Sequence, residues 1–255
     1  MKKTSILVTN DDGIFASGIA QLKKDLTEIG EVTVVAPISE KSAVGHAITI
    51  SDPLRVVEVE REGAFFGYGV NGTPADCVKL GIRCLMERKP DIVVSGINQG
   101  SNTAINIIYS GTVSAAAESI IMDIPAIAVS LTSYNHKDFS YAGKIARHIS
   151  LQVLQKGLPE GVLLNVNVPP LPEEKITEAV ATRQGKGKYE EAFDKRVDPN
   201  NRTYYWLTGK RMILDFDDDI DDVVVMNNKV SVTPIHYDLT HYDFLKELST
   251  WQLKP

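Results

Sequence analysis

The stretch SILVTNDDGIFASGIAQLKKDLTEIGEVTVVAP, residues 5–37, decides the fold. "SILVT" (5–9) is a short apolar run without alternation, the pattern of a strand buried on both faces. "SGIAQLKKDLTEIG" (17–30) puts Ile19, Leu22, Leu26 and Ile29 on one helical face, with Gly30 as its stop. "VTVVAP" (32–37) is a second buried strand, ended by proline. Two buried strands joined by an amphipathic helix are the unit of a parallel sheet. Between the first strand and the helix stands Asn10-Asp11-Asp12-Gly13. The two carboxylates repel each other, and a buried, unpaired carboxylate is costly. The loop therefore calls for a positive partner.

The same rhythm continues outward. "TPADCVKLGIRCLMER" (73–88) predicts a helix with Thr73 as N-cap, Pro74 at its first position and Asp76 three residues after the cap. "DIVVSG" (91–96), "AIAVSL" (126–131) and "VLLNVNV" (162–168) predict further strands. "TVSAAAESII" (112–121) and a stretch near 140–156 predict helices. The expected class is α/β, with a mostly parallel sheet covered on both faces. "RVVEVE" (55–60) and "FFGYGV" (65–70) read as a hairpin on the sheet edge. Past the proline-rich "VPPLPEE" (168–174) the pattern loosens, with strand-like "TYYWL" (203–207), "KVSVTPI" (229–235) and a final helix near 240–248. The expected division is a catalytic core over 1–170 and a less regular C-terminal portion over 171–255, whose extended arms pair with a neighbouring subunit.

Composition bounds the function. With 255 residues, 43% hydrophobic and 24% charged, the chain can bury a sizeable core. A net charge of -6 and a pI near 5.4 argue against a nucleic-acid partner. No apolar run approaches the ~20 residues of a membrane span, so no membrane partner is expected. The apolar run after Met1 is too short for a signal peptide, which leads to a cytoplasmic expectation. Cys77 and Cys84 lie seven apart in the predicted helix, about 10 Å along its axis, too far for a disulfide. Both are expected as reduced core thiols.

In an open parallel sheet, ligands bind beyond the carboxyl ends of the strands. Four such loops are rich in short oxygen-bearing side chains: Asn10–Gly13, the segment with Ser39, Ser42, Gly45 and His46, the segment Ser95–Asn102, and Ser110-Gly111-Thr112 at a helix start. Carboxylates, an amide oxygen and a hydroxyl suit Mg²⁺, Mn²⁺ or Ca²⁺, and no Cys or His cluster invites zinc. A cation between Asp11 and Asp12 would resolve their repulsion. "SGT" at a helix start is a natural phosphate cradle. Cation plus phosphate cradle points to phosphoryl chemistry. No Walker A sequence is present, and neither GxGxxG nor DxD follows the first strand, which disfavours a P-loop NTPase, a dinucleotide enzyme and an aspartyl-phosphate mechanism. The acidic "DFDDDIDD" (215–222) fails the EF-hand template and reads as a solvated loop. "RQGKGKYEEAFDKR" (183–196) reads as a flexible rim whose Arg183, Lys186 and Lys188 could meet an anionic substrate.

Taken in order, "ILVTNDDGIFASGI", "VVAPISEKSAVGHAIT", "NGTPADCV", "PDIVVSGINQGSN", "YSGTVSAAAES" and "VSVTPIHYDLT" resemble the SurE survival-protein family, as does "TRQGKGKYEEAFDKRVDPNNRTYYWLTG". The resemblance implies a Rossmann-like three-layer core and a metal-dependent 5'/3'-nucleotidase acting on nucleoside monophosphates. It also implies a homodimer or homotetramer with exchanged C-terminal segments. It makes Asp11, Asp12, Ser42 and Asn98 the ligands of one divalent cation per subunit, Mg²⁺ or Mn²⁺. Ser110, Gly111 and Thr112 become the phosphate loop, with Asn102 as a further phosphate donor. The expected reaction is attack of a metal-associated water on phosphorus, with Asp11, Asp12 and Asn98 catalytic, Asp12 orienting or deprotonating the water, and His46 a weaker acid–base candidate. An exopolyphosphatase side activity is left open. A non-catalytic nucleotide sensor and a structural oligomer are the rival readings.

Overall fold

The computed structural model describes residues 3–254. β1 (Ser5–Thr9) leads into α1 (Ser17–Thr27) and β2 (Glu31–Pro37). β3 (Val56–Arg61) and β4 (Ala64–Val70) form an antiparallel hairpin. α2 (Pro74–Leu80), β5 (Ile92–Gln99), the single turn α3 (Asn106–Tyr109) and α4 (Gly111–Ile121) follow. β6 (Ala126–Leu131), α5 (Ser140–Lys156) and β7 (Val162–Val168) complete the regular part. Beyond it lie β8 (Ala179–Ala181), β9 (Lys188–Val197), β10 (Thr203–Met212), α6 (Asp221–Met226), β11 (Val230–His236) and α7 (Tyr242–Leu248).

Nine strands make one sheet in the order β3-β4-β2-β1-β5-β6-β7-β11-β8. The run from β4 through β7 is parallel throughout, and β3 and β11 enter antiparallel. The fold is thus α/β with a mostly parallel sheet. The pleat sorts the apolar residues to two faces. Ile6 and Val8 pack with Ile92, Val94, Ile127 and Val129 beneath α1 and α5, whereas Leu7 and Val93 face the layer of α2 and α4. Register matches this sorting: Ile6 stands opposite Ile92 and Leu7 opposite Val93. A slip of one residue would turn each set to the wrong layer. The chain moves from β1 outward to β2, then returns to lay β5 on the other side of β1. That reversal opens a crevice at the carboxyl ends of β1 and β5.

The capping box expected at Thr73 and Asp76 is present. The helix it starts is shorter than the 73–88 expected. α2 ends at Leu80 and gives way to a wide π turn over Gly81–Leu85. The turn changes which way the second cysteine faces. Cys77 is buried as expected, but Cys84 is exposed, and both are free thiols. The acidic run 215–222 is not a solvated loop at its end: Asp221 and Asp222 are buried and open α6. Residues 188–197, expected as part of a flexible rim, form a regular strand rather than a loop. They pair along their whole length with β10, as a long hairpin exposed at almost every position. β8 and β11, from the C-terminal third, belong to the main sheet. Among the described residues no helix is long and apolar enough to cross a membrane.

Candidate active site

β1 delivers Asp11 and Asp12 to the crevice, and β5 delivers Asn98 and Gln99 across from them. The Gln99 N–H donates to Asp12 Oδ2 at 3.0 Å, tying the two strand ends together. β5 carries one residue more than β6 between Ser95 and Asn98, a bulge that re-aims the chain just before the site. The Asn98 Nδ2 donates to the Gly100 carbonyl at 2.8 Å, which commits the amino end of the amide. Ser42 comes from the loop after β2 and donates to Glu40 Oε1 at 2.6 Å. That loop is anchored at several points. The Lys41 N–H donates to the Asp11 carbonyl at 2.7 Å, Thr49 donates its hydroxyl to Asp76 Oδ2 at 2.6 Å, and His46 Nε2 meets Glu118 Oε2 at 2.9 Å.

Asp11, Ser42, Asn98, Asn102 and Ser110 line one cavity of about 620 Å³. Asp12, bonded to Gln99 of the same wall, sits beside it. The four expected cation ligands therefore gather in one place, although they lie up to 87 residues apart in the chain. Burial is the first cause that raises the Asp11 carboxyl above its usual value, against the hydrogen bonds it receives at the start of α4. Burial also leads at Asp12; together with the Asp11 charge it pushes this carboxyl up to about 7. Two adjacent carboxyls both shifted toward the neutral form mark a site whose negative charge lacks a counter-charge. The donor set around them is hard oxygen: two carboxylates, a hydroxyl and an amide. It suits Mg²⁺ or Mn²⁺. Among the described residues there is no group of three or more His, Cys, Asp and Glu that could hold a metal.

At the helix start the side chains and N–H groups turn toward the protein itself. Ser110 caps α4, its Oγ accepting the Val113 N–H at 3.1 Å. Thr112 is fully buried and directs both its donors at Asp11: its N–H reaches Oδ2 at 3.1 Å and its hydroxyl bonds Oδ1. The positive end of α4 thus receives a carboxylate of the protein itself. Gly111 allows the approach, since a Cβ there would stand 2.8 Å from Asp11 Cβ. Thr112 and Gly111 orient Asp11, and only Ser110 of the three lines the cavity. Asn102 is likewise engaged, its Nδ2 donating to Ser130 Oγ at 2.9 Å. His46, considered as an acid–base group, faces Glu118 on the side of α4. Arg183 is paired with Asp215, Asp217 and Asp219, not with the cavity.

Three tyrosines complete the wall: Tyr109, Tyr134 and Tyr189. Tyr109 precedes the "SGT" motif, and Tyr134 follows β6, so the search of strand ends that found the other loops would have reached it. Tyr189, Glu191 and Leu207 arrive from the β9–β10 hairpin, which overhangs the site. Tyr189 and Glu191 lie within the stretch that reads as a rim in the sequence, and Leu207 within the strand-like "TYYWL", but nothing there singles out these three side chains.

Residues 6–191 match the family described as Survival protein SurE. The chain is 51% identical over 248 residues to a protein named 5'-nucleotidase SurE from Syntrophobacter fumaroxidans, covering 97% of this chain and 99% of that one. It is 47% identical to the 5'-nucleotidase SurE of Chlorobium limicola, covering 100% of this chain and 98% of that one. Among solved structures, the SurE protein from Aquifex aeolicus superposes with a TM-score of 0.84 at 42% identity, over 96% of this chain and 98% of that one.

Proposed function

The chain belongs to the SurE survival-protein family and is a 5'-nucleotidase; from that premise we propose that the crevice between β1 and β5 is its catalytic centre and depends on a divalent cation. One observation carries the reading: Asp11, Ser42 and Asn98, from three separate strand ends, meet at one cavity wall, with Asp12 bonded to Gln99 beside them. Asp11, Asp12, Ser42 and Asn98 would hold one Mg²⁺ or Mn²⁺. When bound, the cation supplies Lewis-acid charge for phosphoryl oxygens.

The chain's own residues do the rest. Thr112 and Gly111 hold the Asp11 carboxylate in one orientation, as the N–H of Gln99 holds Asp12. Asp12, its carboxylate fixed by the Gln99 N–H, stands where it can orient an attacking water. Ser101, Asn102 and Ser110, which line the cavity, offer polar groups to the substrate phosphate. The tyrosine wall is large and flat enough for a nucleobase, and stacking there would be tolerant of base identity. The exposed β9–β10 hairpin is too slight to be stable alone in water, and its outward Phe193, Tyr205 and Trp206 favour a homodimer or homotetramer in which the arms are covered. Cleavage of 3'-nucleotides or of short polyphosphates would use the same phosphate groups.

The test is turnover of AMP over a series of divalent ions, with EDTA and Asp11→Asn as controls. Activity should require Mn²⁺ or Mg²⁺ and vanish in EDTA, and Asp11→Asn should lose several kcal/mol of transition-state stabilisation, roughly 10³-fold or more. Full activity in EDTA would remove the cation from the proposal.

A further inference from the structure

Two motifs have no part in the centre just described: "QGKG" (184–187) and the end of the acidic run, "DIDD" (219–222). In the folded chain they close on each other. Asp221 is fully buried and lies outside the cavity wall. Its Oδ2 accepts the Ala104 N–H at 2.9 Å, and its Oδ1 accepts the Gly185 N–H at 2.9 Å. The Gln184 amide donates to the Ala104 carbonyl at 2.9 Å, so both backbone groups of Ala104 are bound from this side. Ala104 itself has φ +50°, a conformation that a non-glycine residue seldom holds unaided. One residue earlier, Arg211 bonds both the Thr103 hydroxyl and Asp222.

The glycines explain their own spacing. A Cβ at 185 would stand 2.9 Å from Asp221 Oδ1, and one at 187 would stand 2.7 Å from Asp222 Oδ2. A carboxylate is the group this junction needs. It offers an acceptor to each of two N–H donors on different segments, whereas an amide offers one. The loop it grips, residues 101–106, presents Ser101, Asn102 and Asn106 to the cavity. The other segment is the root of the hairpin that supplies Tyr189 and Glu191.

We propose that Asp221 is a positioning residue for substrate binding: by joining Ala104 to Gly185 it sets the 101–106 loop, and with it the polar groups offered to the substrate phosphate. The proposal rests on the reading of the cavity as a nucleotide site. Loop contacts of this kind serve ground state and transition state alike, so their loss acts on KM more than on kcat.

The experiment is Asp221→Asn in the full-length, Mn²⁺-supplied enzyme, read by AMP kinetics and by amide hydrogen exchange. Exchange at Ala104 and Gly185 should speed up by about tenfold or more while β1 and β5 keep their protection. KM for AMP should rise by about tenfold, with kcat within about threefold of wild type. Gly185→Ala presses on the same carboxylate from the other side; it should give the same split and stands in if Asp221→Asn fails to fold. Asp219→Asn, at the exposed Arg183 pair, should leave KM unchanged. Unaltered exchange at Ala104 overturns the proposal, as does faster exchange with a wild-type KM or a loss confined to kcat. A wild-type enzyme inert toward AMP would overturn the nucleotidase reading and the substrate-positioning role with it, and the exchange data would still decide whether Asp221 holds the loop.

Discussion

Gly111→Ala isolates the close approach between α4 and Asp11. The new methyl would stand 2.8 Å from Asp11 Cβ, 3.0 Å from its Oδ2 and 3.2 Å from Pro74 Cγ. Ordinary contact begins near 3.4 Å, so Asp11 and the helix start must part by about 0.6 Å. Taken along the 3.1 Å bond from Thr112 N–H to Oδ2, that shift gives about 3.7 Å, outside hydrogen-bonding range. One hydrogen bond to a charged group is worth about 1.5–3 kcal/mol. A displacement approaching 1 Å of a catalytic group costs about 10²-fold in rate. The expected result is a fall of about 10²-fold in kcat/KM for AMP, with a loss of about 1–3 kcal/mol in stability, seen as a Tm lower by roughly 2–10 °C. Helix propensity alone points the other way, because alanine in place of glycine favours a helix by up to about 1 kcal/mol. Gly111 has no left-handed φ, so backbone strain does not confuse the result. A folded variant with a raised Tm and kcat/KM within about threefold of wild type would refute the reasoning.

The buried Glu118 offers a pH test. Burial alone would raise its carboxyl, but hydrogen bonds from His46 and Lys79 outweigh it and lower the net value. A lowered folded value contributes stability above the unfolded 4.5 that is lost as pH falls through the folded value. Glu118→Gln should therefore cost about 1–3 kcal/mol at pH 7, at the low end because His46 and Lys79 are partly exposed, and the Tm gap to wild type should narrow below about pH 4.5. A gap that stays constant from pH 7 to pH 3 would exclude the charged pair as its source. The two thiols should separate in a DTNB titration of native protein. Cys84, exposed within the π turn, should react at once, whereas burial and the Asp76 charge raise the Cys77 thiol well above its usual value and keep it silent until unfolding. Two rapid equivalents would show that the α2 layer is open.

Local pattern carried much of this protein. Unbroken Val/Ile runs separated by amphipathic helices dictate a parallel sheet, because only a strand covered on both faces can be apolar throughout. Once the sheet is parallel, its carboxyl edge is where the loops converge, which brings forward Asp11, Asp12 and the loops rich in Ser and Asn; the choice of Ser42 and Asn98 among them comes from the family resemblance. Other features have no local signal. Nothing local pairs Thr112 with Asp11, yet the fold brings that carboxylate within reach of its N–H and hydroxyl. A run of aspartates reads as solvated, because a carboxylate is buried only where partners await it, and Asp221 finds them at Ala104 and Gly185, 117 and 36 residues away. Tyr189 and Glu191 belong to a strand whose pairing with β10 swings it over the cavity. Periodicity records which way a side chain points from its own element. Which distant backbone group it meets is settled only when the elements pack.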